Sequence, residues 1–404
     1  MFSVFSFVNK GIGFVLLIIL ARYIMPAEYG RLSLFNTIVS FLGYFIALST
    51  QGYFSISYFQ RKGDLFRQDT SSIVMIMVVC TTVLSIILLF SQKALSAFAD
   101  LPPAFLWFAL AICFFHVFFT LFMDYLRIQE KVIRYGLFSC GFAIINFLAS
   151  IYLVINRGLD WEGRVYAHLV CTVVAGLIGL YVLVHYRLFT RHVTWEGTKM
   201  ILLWGIPLIP HEATSWIKQG CDRFIINDVH TIEDVGIFSF ALTMTSIIIM
   251  IGVAFNATNS VSIYQILSSE KTTDDKKKQL RKQTRNIGMI YTVCYIATVL
   301  GGTLLVPLFL PKYTSSLPYF WITSVSGFLQ CLYFLFVNYL FYYHKNKDIM
   351  MITFLSALLH LGLSLLLTRY SLYLTAVIYV VTQALVLLMI ASRSLKVIRE
   401  KIID

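Results

Sequence analysis

Apolar residues run in blocks along nearly the whole chain, with short polar stretches between them. Twelve blocks can be marked out: 2–24, 33–56, 72–91, 104–123, 136–155 and 165–186, then 201–222, 236–258, 287–308, 318–341, 350–368 and 373–391. A helix needs ~20 apolar residues to cross a hydrocarbon core ~30 Å thick, so each block is long enough to span a membrane. The pattern predicts an all-α polytopic membrane protein of about 12 transmembrane helices. The first block has no polar n-region and no A-x-A cleavage site, and is expected to stay as a helix rather than be removed as a signal peptide.

One block departs from the rest. Residues 201–240 read ILLWGIPLIPHEATSWIKQGCDRFIINDVHTIEDVGIFSF. Pro207 and Pro210 each remove a backbone donor, which predicts a broken helix, tolerated in a membrane only beside a cavity or another helix. The same stretch holds His211, Glu212, Lys218, Asp222 and Arg223. A charge near the bilayer centre costs ~2.5–3.5 kcal/mol even on the lenient insertion scale, so such groups must face protein or water.

Intramembrane and span-end charges are therefore the candidate functional residues. The cavity candidates for an anionic substrate are Lys10, Arg22, His211, Lys218 and Arg223; the ion-coupling candidates are Glu212 and Asp222. Each has a plainer reading. Lys10, beside Asn9, could snorkel to the interface. Glu212 could pair with a base on a neighbouring helix. Arg22 and Arg223 could form interfacial salt bridges, with Asp222 and Arg223 at the outer end of the seventh span. Glu212 and Lys218 are six residues apart, about 120° off one helix face, so they should not pair in a straight helix. Asp124 and Arg127 are expected to form an i,i+3 pair. His116 and His360 each stand alone in a span and are expected to be packed or hydrogen-bonded.

Composition narrows the class. The 404 residues are 58% hydrophobic and 13% charged, with a mean hydropathy of +0.78. That leaves no room for a large extramembrane domain. Seven cysteines lie singly in apolar segments and suggest neither disulfides nor a metal site. No phosphate-cradling loop, G-x-S-x-G or H-E-x-x-H motif appears, so the expectation is a transporter and not an enzyme, without cofactor or metal. The net charge of +12 is not a nucleic-acid signal. With an inside N-terminus, 22 of the 32 Lys and Arg fall on the even-numbered connections and the C-terminus, and eight on the other side. That bias places both termini in the cytoplasm. The most basic connection, 264–286, is expected to be a topology anchor or a contact for anionic lipid.

A weak repeat is visible. PAEYGRLSLF follows the first span and TIEDVGIFSF the seventh; aligning Gly30 with Gly236 also aligns Glu28 with Asp234 and Ser33 with Ser239. A parallel repeat at this offset implies two six-helix bundles, residues 1–190 and 191–404, with a cavity between them.

WGIPLIPHEATSW, CDRFIIN and EDVGIFSFA resemble the seventh and eighth spans of Wzx-like polysaccharide flippases, the O-antigen and capsule repeat-unit exporters of the multidrug/oligosaccharidyl-lipid/polysaccharide (MOP) superfamily. KGIGFVLLIILARYIMPAEYG resembles that family's first span, LRIQEKVIRYG its fourth-to-fifth loop, and WEGRVYAHLVCTVVAGLIGLYVL its sixth span. The resemblance implies an inner-membrane flippase with a cationic cavity. Its substrate would be an oligosaccharide on undecaprenyl pyrophosphate, and its energy source an ion gradient of protons or sodium. Its partners would be glycosyltransferases, a polymerase and a chain-length regulator of the same pathway. Competing expectations are an ion-coupled multidrug exporter of the same superfamily, a longer lipid II flippase, and a membrane-embedded polysaccharide polymerase or acyltransferase. The last usually needs a large outer loop, and the outer connections here are only about a dozen residues long.

Overall fold

The computed structural model describes residues 2–270 and 272–400. Of the residues singled out above, the side chains of Lys10 and His211 lie outside the described residues, as do Lys271 and Lys401 entirely. The described chain is helical and divides into two compact units, Met1–Trp216 and Ile217–Asp404.

The N-terminal unit contains α1 (Phe2–Tyr23), α2 (Pro26–Ile46), α3 (Tyr53–Gln60), α4 (Asp64–Ala99), α5 (Pro103–Ile128), α6 (Val132–Ile151), α7 (Asp160–His185) and α8 (Trp195–Gly205). A further helix, α9 (Ile209–Gln219), carries the boundary between the units, after Trp216. The C-terminal unit holds α10 (Cys221–Val229), α11 (Ile232–Ser268), α12 (Thr273–Phe309), α13 (Leu317–Tyr342), α14 (Asn346–Leu367) and α15 (Leu372–Ile398). Nine of the described helices are long and apolar enough to cross a membrane; α2 with α3, bent by 61°, makes a tenth. Helix α1 and the twice-broken run from α8 to α10 complete the twelve apolar segments read from the sequence.

Two spans differ from the simple pattern. The second is not one helix: Leu48 and Ser49 turn into left-handed backbone at φ 47° and 56°, and a short 3-10 turn, Thr50–Gly52, restarts the chain. No proline marks this break, which is why an apolar count joins it into one segment. The seventh breaks where its prolines require. Pro207 lies in a 3-10 turn, Ile206–Leu208, and Gly220 separates α9 from α10.

Helix α5 is the centre of the N-terminal unit. Gly176 and Gly179 of α7 let that helix lie directly on the α5 backbone: a Cβ at Gly176 would overlap the Phe115 carbonyl, and one at Gly179 would sit 2.6 Å from Phe118 O. Small residues at such crossings are how membrane helices gain packing where lipid competes for apolar surface. The compact unit extends past residue 190 because α8 packs on α4. Ile201 is fully buried in the core that also holds Met77 and Leu121, and Thr198 Oγ1 bonds Ser72 Oγ at 3.2 Å.

In the C-terminal unit α13 packs between α11 and α15. Helices α11 and α12 have 37 residues each, about 55 Å at 1.5 Å per residue, well beyond a ~30 Å hydrocarbon core. Their excess forms a hairpin. Leu280 packs against Ile263, Leu267 and Tyr339, so most of the basic stretch expected to be loop is helix. The repeat also has a structural counterpart. Helices α2 and α11 start at Pro26 and Ile232, the same 206-residue offset as Gly30 and Gly236. Glu28 and Asp234 are then each the third residue of their helix, in a first turn where the dipole favours an acid.

Candidate functional site

Among the described residues, three of the places where polar side chains gather inside the helices hold or adjoin candidate charges. The first is in the N-terminal unit, where the break in α2–α3 faces the break before α9. Ser49 Oγ donates to Glu212 Oε2 at 2.8 Å. Gly205 lies against the Leu48 carbonyl, and Tyr53 and Trp204 pack edge to face at 5.7 Å. Trp216 Nε1 donates to Thr37 O at 3.1 Å, and its ring packs on Phe41. The Gln51 side-chain oxygen is buried without a hydrogen bond. Glu212 is thus held by a hydroxyl at the kink of another span, and among the described residues no base pairs with it. Lys218, the last basic residue of α9, is half-buried, and no charged group among the described residues acts on it.

The second place is in the C-terminal unit. Asp222, expected at the outer end of the seventh span, is instead sealed inside: its side chain and that of His360 are each 1% exposed, with Oδ2 and Nε2 2.8 Å apart. His360, expected to stand alone, is therefore the partner of Asp222, because α10 packs on α14. Its other nitrogen, Nδ1, lies 3.2 Å from Thr382 Oγ1 on α15. Tyr379 sets its ring edge-on to His360 at 4.8 Å. The Tyr379 hydroxyl and Asp222 Oδ1 are both buried, and the carboxyl lies near enough to act on the phenol by charge and by hydrogen bonding. Arg223 donates from Nε to Ser239 Oγ at 3.2 Å and lies near enough for its charge to act on Tyr379.

The third place went unnoticed in the sequence. Arg164, counted there among the outer-side charges, lies in α7 and donates from Nη1 to Asn146 Oδ1 at 2.8 Å and Ser150 Oγ at 3.3 Å, both on α6. His168, one turn further along α7, is within electrostatic reach of Arg164 and of His116 on α5. No carboxylate acts on Arg164 among the described residues. The Thr172 hydroxyl, a further turn along, is buried without a partner. The i, i+4, i+8 spacing of Arg164, His168 and Thr172 was the available signal. At the start of α7 a cavity of about 720 Å³ opens, lined by Glu28, Arg31, Asp100, Asp160, Trp161 and Glu162 among others. Helix α7 runs from that acidic mouth inward to a basic interior.

Two candidates stay outside these clusters. Arg22 is exposed in the last turn of α1, where a cation suits the helix dipole. Lys10 belongs to the same helix, with its side chain outside the described residues. Asp124 and Arg127 form the expected pair, at 2.8 Å. No group of residues that could hold a metal ion occurs among the described residues.

Known proteins resemble the chain throughout its length. A protein of the Lsg locus of Haemophilus influenzae is 24% identical over 366 residues, covering 88% of this chain and 86% of its own. A membrane protein of the same organism is 23% identical over 363 residues, covering 87% and 85%. Among solved structures, the lipid II flippase MurJ in an inward closed conformation superposes with a TM-score of 0.76 at 12% identity, over 100% of this chain and 90% of that one. An inward-facing multidrug resistance MATE family transporter of the MOP superfamily superposes with a TM-score of 0.70 at 15% identity, over 98% and 95%. These likenesses give the chain the fold of MOP-superfamily membrane transporters. The family model described as "Polysaccharide biosynthesis protein" matches residues 1–261, well over half the sequence, and the chain belongs to that family.

Proposed function

We propose that the protein moves undecaprenyl-pyrophosphate-linked oligosaccharide repeat units across the bacterial cytoplasmic membrane by alternating access, driven by an ion gradient. Both termini face the cytoplasm in this reading, which rests on the 22-to-8 distribution of basic residues. The observation that carries the choice of cargo is Arg164: an arginine inside a helical bundle, bonded among the described residues to neutral oxygens, with His168 and His116 nearby and no described acid acting on it. Such a group is costly unless it meets an anion or water. A pyrophosphate-linked glycan supplies the one, and a hydrated sugar path the other. Lys218 and Arg223 are further cation candidates; Glu212 and Asp222 are the ion-coupling candidates. The glycan would come from a glycosyltransferase and pass to a polymerase and a chain-length regulator.

A drug exporter is the second reading, favoured by the MATE-like fold. An exporter of cationic drugs would be expected to present acids in its spans, and the Arg164 cluster presents bases.

The test is deletion of the protein followed by analysis of lipid-linked intermediates, asking on which leaflet they collect. Units retained on the cytoplasmic leaflet, shielded from external glycosidase, are the expected result. Units on the outer leaflet but unpolymerised would mean a polymerase-like role, and unchanged intermediates would point to the drug exporter.

A further inference from the structure

We infer that Asp222 and His360 hold one transferable proton between them, and that its departure moves the Thr382 hydroxyl off the backbone of α15. The role in transport rests on the ion-coupled reading above; the proton itself follows from the hydrogen bonds.

Those bonds leave little freedom. Thr382 Oγ1 lies 2.7 Å from the carbonyl of Ile378, four residues back on α15. A carbonyl can only accept, so the threonine proton is committed there. His360 Nδ1, 3.2 Å from the same Oγ1, must then be the donor to it and carry a hydrogen. In a neutral imidazole the other nitrogen, Nε2, would be a bare acceptor. It faces Asp222 Oδ2 at 2.8 Å, and a carboxylate is also a bare acceptor. Two lone pairs at that distance repel. A proton lies between them, either as carboxylic acid with neutral imidazole or as carboxylate with imidazolium.

Burial agrees. Both side chains are 1% exposed, and a lone ionised carboxylate there would carry a desolvation cost of several kcal/mol. The proton makes the pair neutral overall.

Release follows with atoms in balance. One proton leaves; no heavy-atom bond forms or breaks. Asp222 remains a carboxylate accepting from Nε2–H of neutral His360. Nδ1 becomes the acceptor, and Thr382 turns its hydroxyl hydrogen from Ile378 O to Nδ1. The α15 back-bond is lost, which ties protonation to the shape of that helix. The carboxylate then relies on the buried Tyr379 hydroxyl as a donor. The other titratable or charged groups around the pair are Cys221 and Arg223 on α10 and Tyr379 on α15. On α11, the packed polar group is Ser239, bonded to Arg223. The pair is a proton carrier: nitrogen in the position opposite Asp222 suits a proton better than a hard cation, which prefers oxygen ligands.

Nitrogen-15 NMR of the histidine-labelled full chain in lipid bilayers tests the proton directly, with the His360 signal identified by its loss in His360→Gln. The expected result near neutral pH is a protonated Nδ1. A neutral ring with hydrogen on Nε2 and a bare Nδ1 would overturn the inference. Should His360→Gln not fold, Thr382→Val identifies the signal instead. Removing the acceptor is expected to switch the ring to the Nε2–H form, and Thr382→Ser to leave it unchanged; no switch in Thr382→Val would count against the proposal. The transport role is tested in proteoliposomes with a trapped pH dye. Asp222→Asn is expected to abolish proton movement coupled to an imposed pH gradient, and flux equal to wild type would remove the pair from the carrier role. Failure of the leaflet assay would sink the flippase reading alone, since the NMR result needs no substrate.

Discussion

Ser49 donates a hydrogen bond to Glu212 across 163 residues of sequence, tying the kink of the second span to the first turn of α9. The bond holds a carboxyl at a place where two helices are interrupted and where, among the described residues, no base pairs with it. The two parts of this contact can be separated by substitution. Glu212→Gln keeps an oxygen acceptor and removes the charge, so stability should hold while surface glycan is lost. Ser49→Ala keeps the left-handed backbone and removes the donor, costing about 1.5–3 kcal/mol if the carboxyl is ionised. Ser49→Gly loses the same donor but relieves roughly 1 kcal/mol of left-handed strain, and should be the more stable of the two. Thermal unfolding of the solubilised protein beside surface-glycan staining checks all three. Wild-type glycan in Glu212→Gln would end the coupling role of this residue. Lys218→Ala, removing a half-buried cation of the same helix, is expected to abolish glycan while the protein remains inserted.

Close approach at the same junction gives a purely structural prediction. A Cβ at Gly205 would overlap the Leu48 carbonyl oxygen and sit 2.8 Å from Thr50 Cγ2. Backbone cannot move aside cheaply, so Gly205→Ala should cost about 1–3 kcal/mol. Gly301, inside α12, has nothing within 4 Å of its Cβ position. Gly301→Ala should be neutral or stabilising by up to ~1 kcal/mol through helix propensity. Equal unfolding temperatures for the two variants would mean the junction is loose in the membrane.

The sequence made the spans legible and their partners illegible, for a physical reason. Crossing a bilayer requires ~20 consecutive apolar residues, and that requirement is local. The break at Pro207 and the Asp124–Arg127 pair are local too, and both could be read directly. The break after Ile46 could not: it rests on Leu48 and Ser49 in left-handed backbone, held by tertiary contact, and only the polar run Ser49–Thr50–Gln51 hints at it. The partner of Asp222 is 138 residues away, and nothing in the spacing of one helix names a residue on another. His360 looked solitary because its acid lies on α10. Arg164 looked like a loop charge because it lies in the first turns of α7, where apolar counting blurs a boundary.

Asp69 offers a measurable buried pair. Its side chain is 1% exposed and accepts from Ser57 Oγ at 2.6 Å and from Arg61 Nη1 at 2.8 Å, which fixes α3 against α4. Arg61 is 30% exposed, so its loss is softened by water that can reach the site. Arg61→Ala should therefore destabilise by about 2–3 kcal/mol, below the 3–5 expected for a fully enclosed pair. Removing both charges, as Arg61→Ala with Asp69→Asn, should recover much of that loss, because the orphaned acid and not the missing attraction is the larger cost. Denaturation of the four proteins of the cycle decides it. Additive losses would mean the two residues act separately.

Arg164 is the residue on which the anionic-cargo reading is most exposed. Its guanidinium spends one nitrogen on Asn146 and Ser150 and has further donors in a planar fork suited to a phosphate or carboxylate. Three side chains at this position separate charge, geometry and packing. Arg164→Lys keeps the charge and loses the fork. Arg164→Gln keeps a donor for Asn146 and loses the charge. If the cluster meets an anion, surface glycan should fall in the order arginine, lysine, glutamine, with the glutamine variant down at least about tenfold, on the order of 1.4 kcal/mol. Stability should move the opposite way or not at all, since an uncompensated cation inside a bundle is a cost that Gln removes. A structural arginine would give the reverse: both variants less stable, and glycan falling only in step with the amount of folded protein. Measuring folded protein and surface glycan in the same cells separates these outcomes.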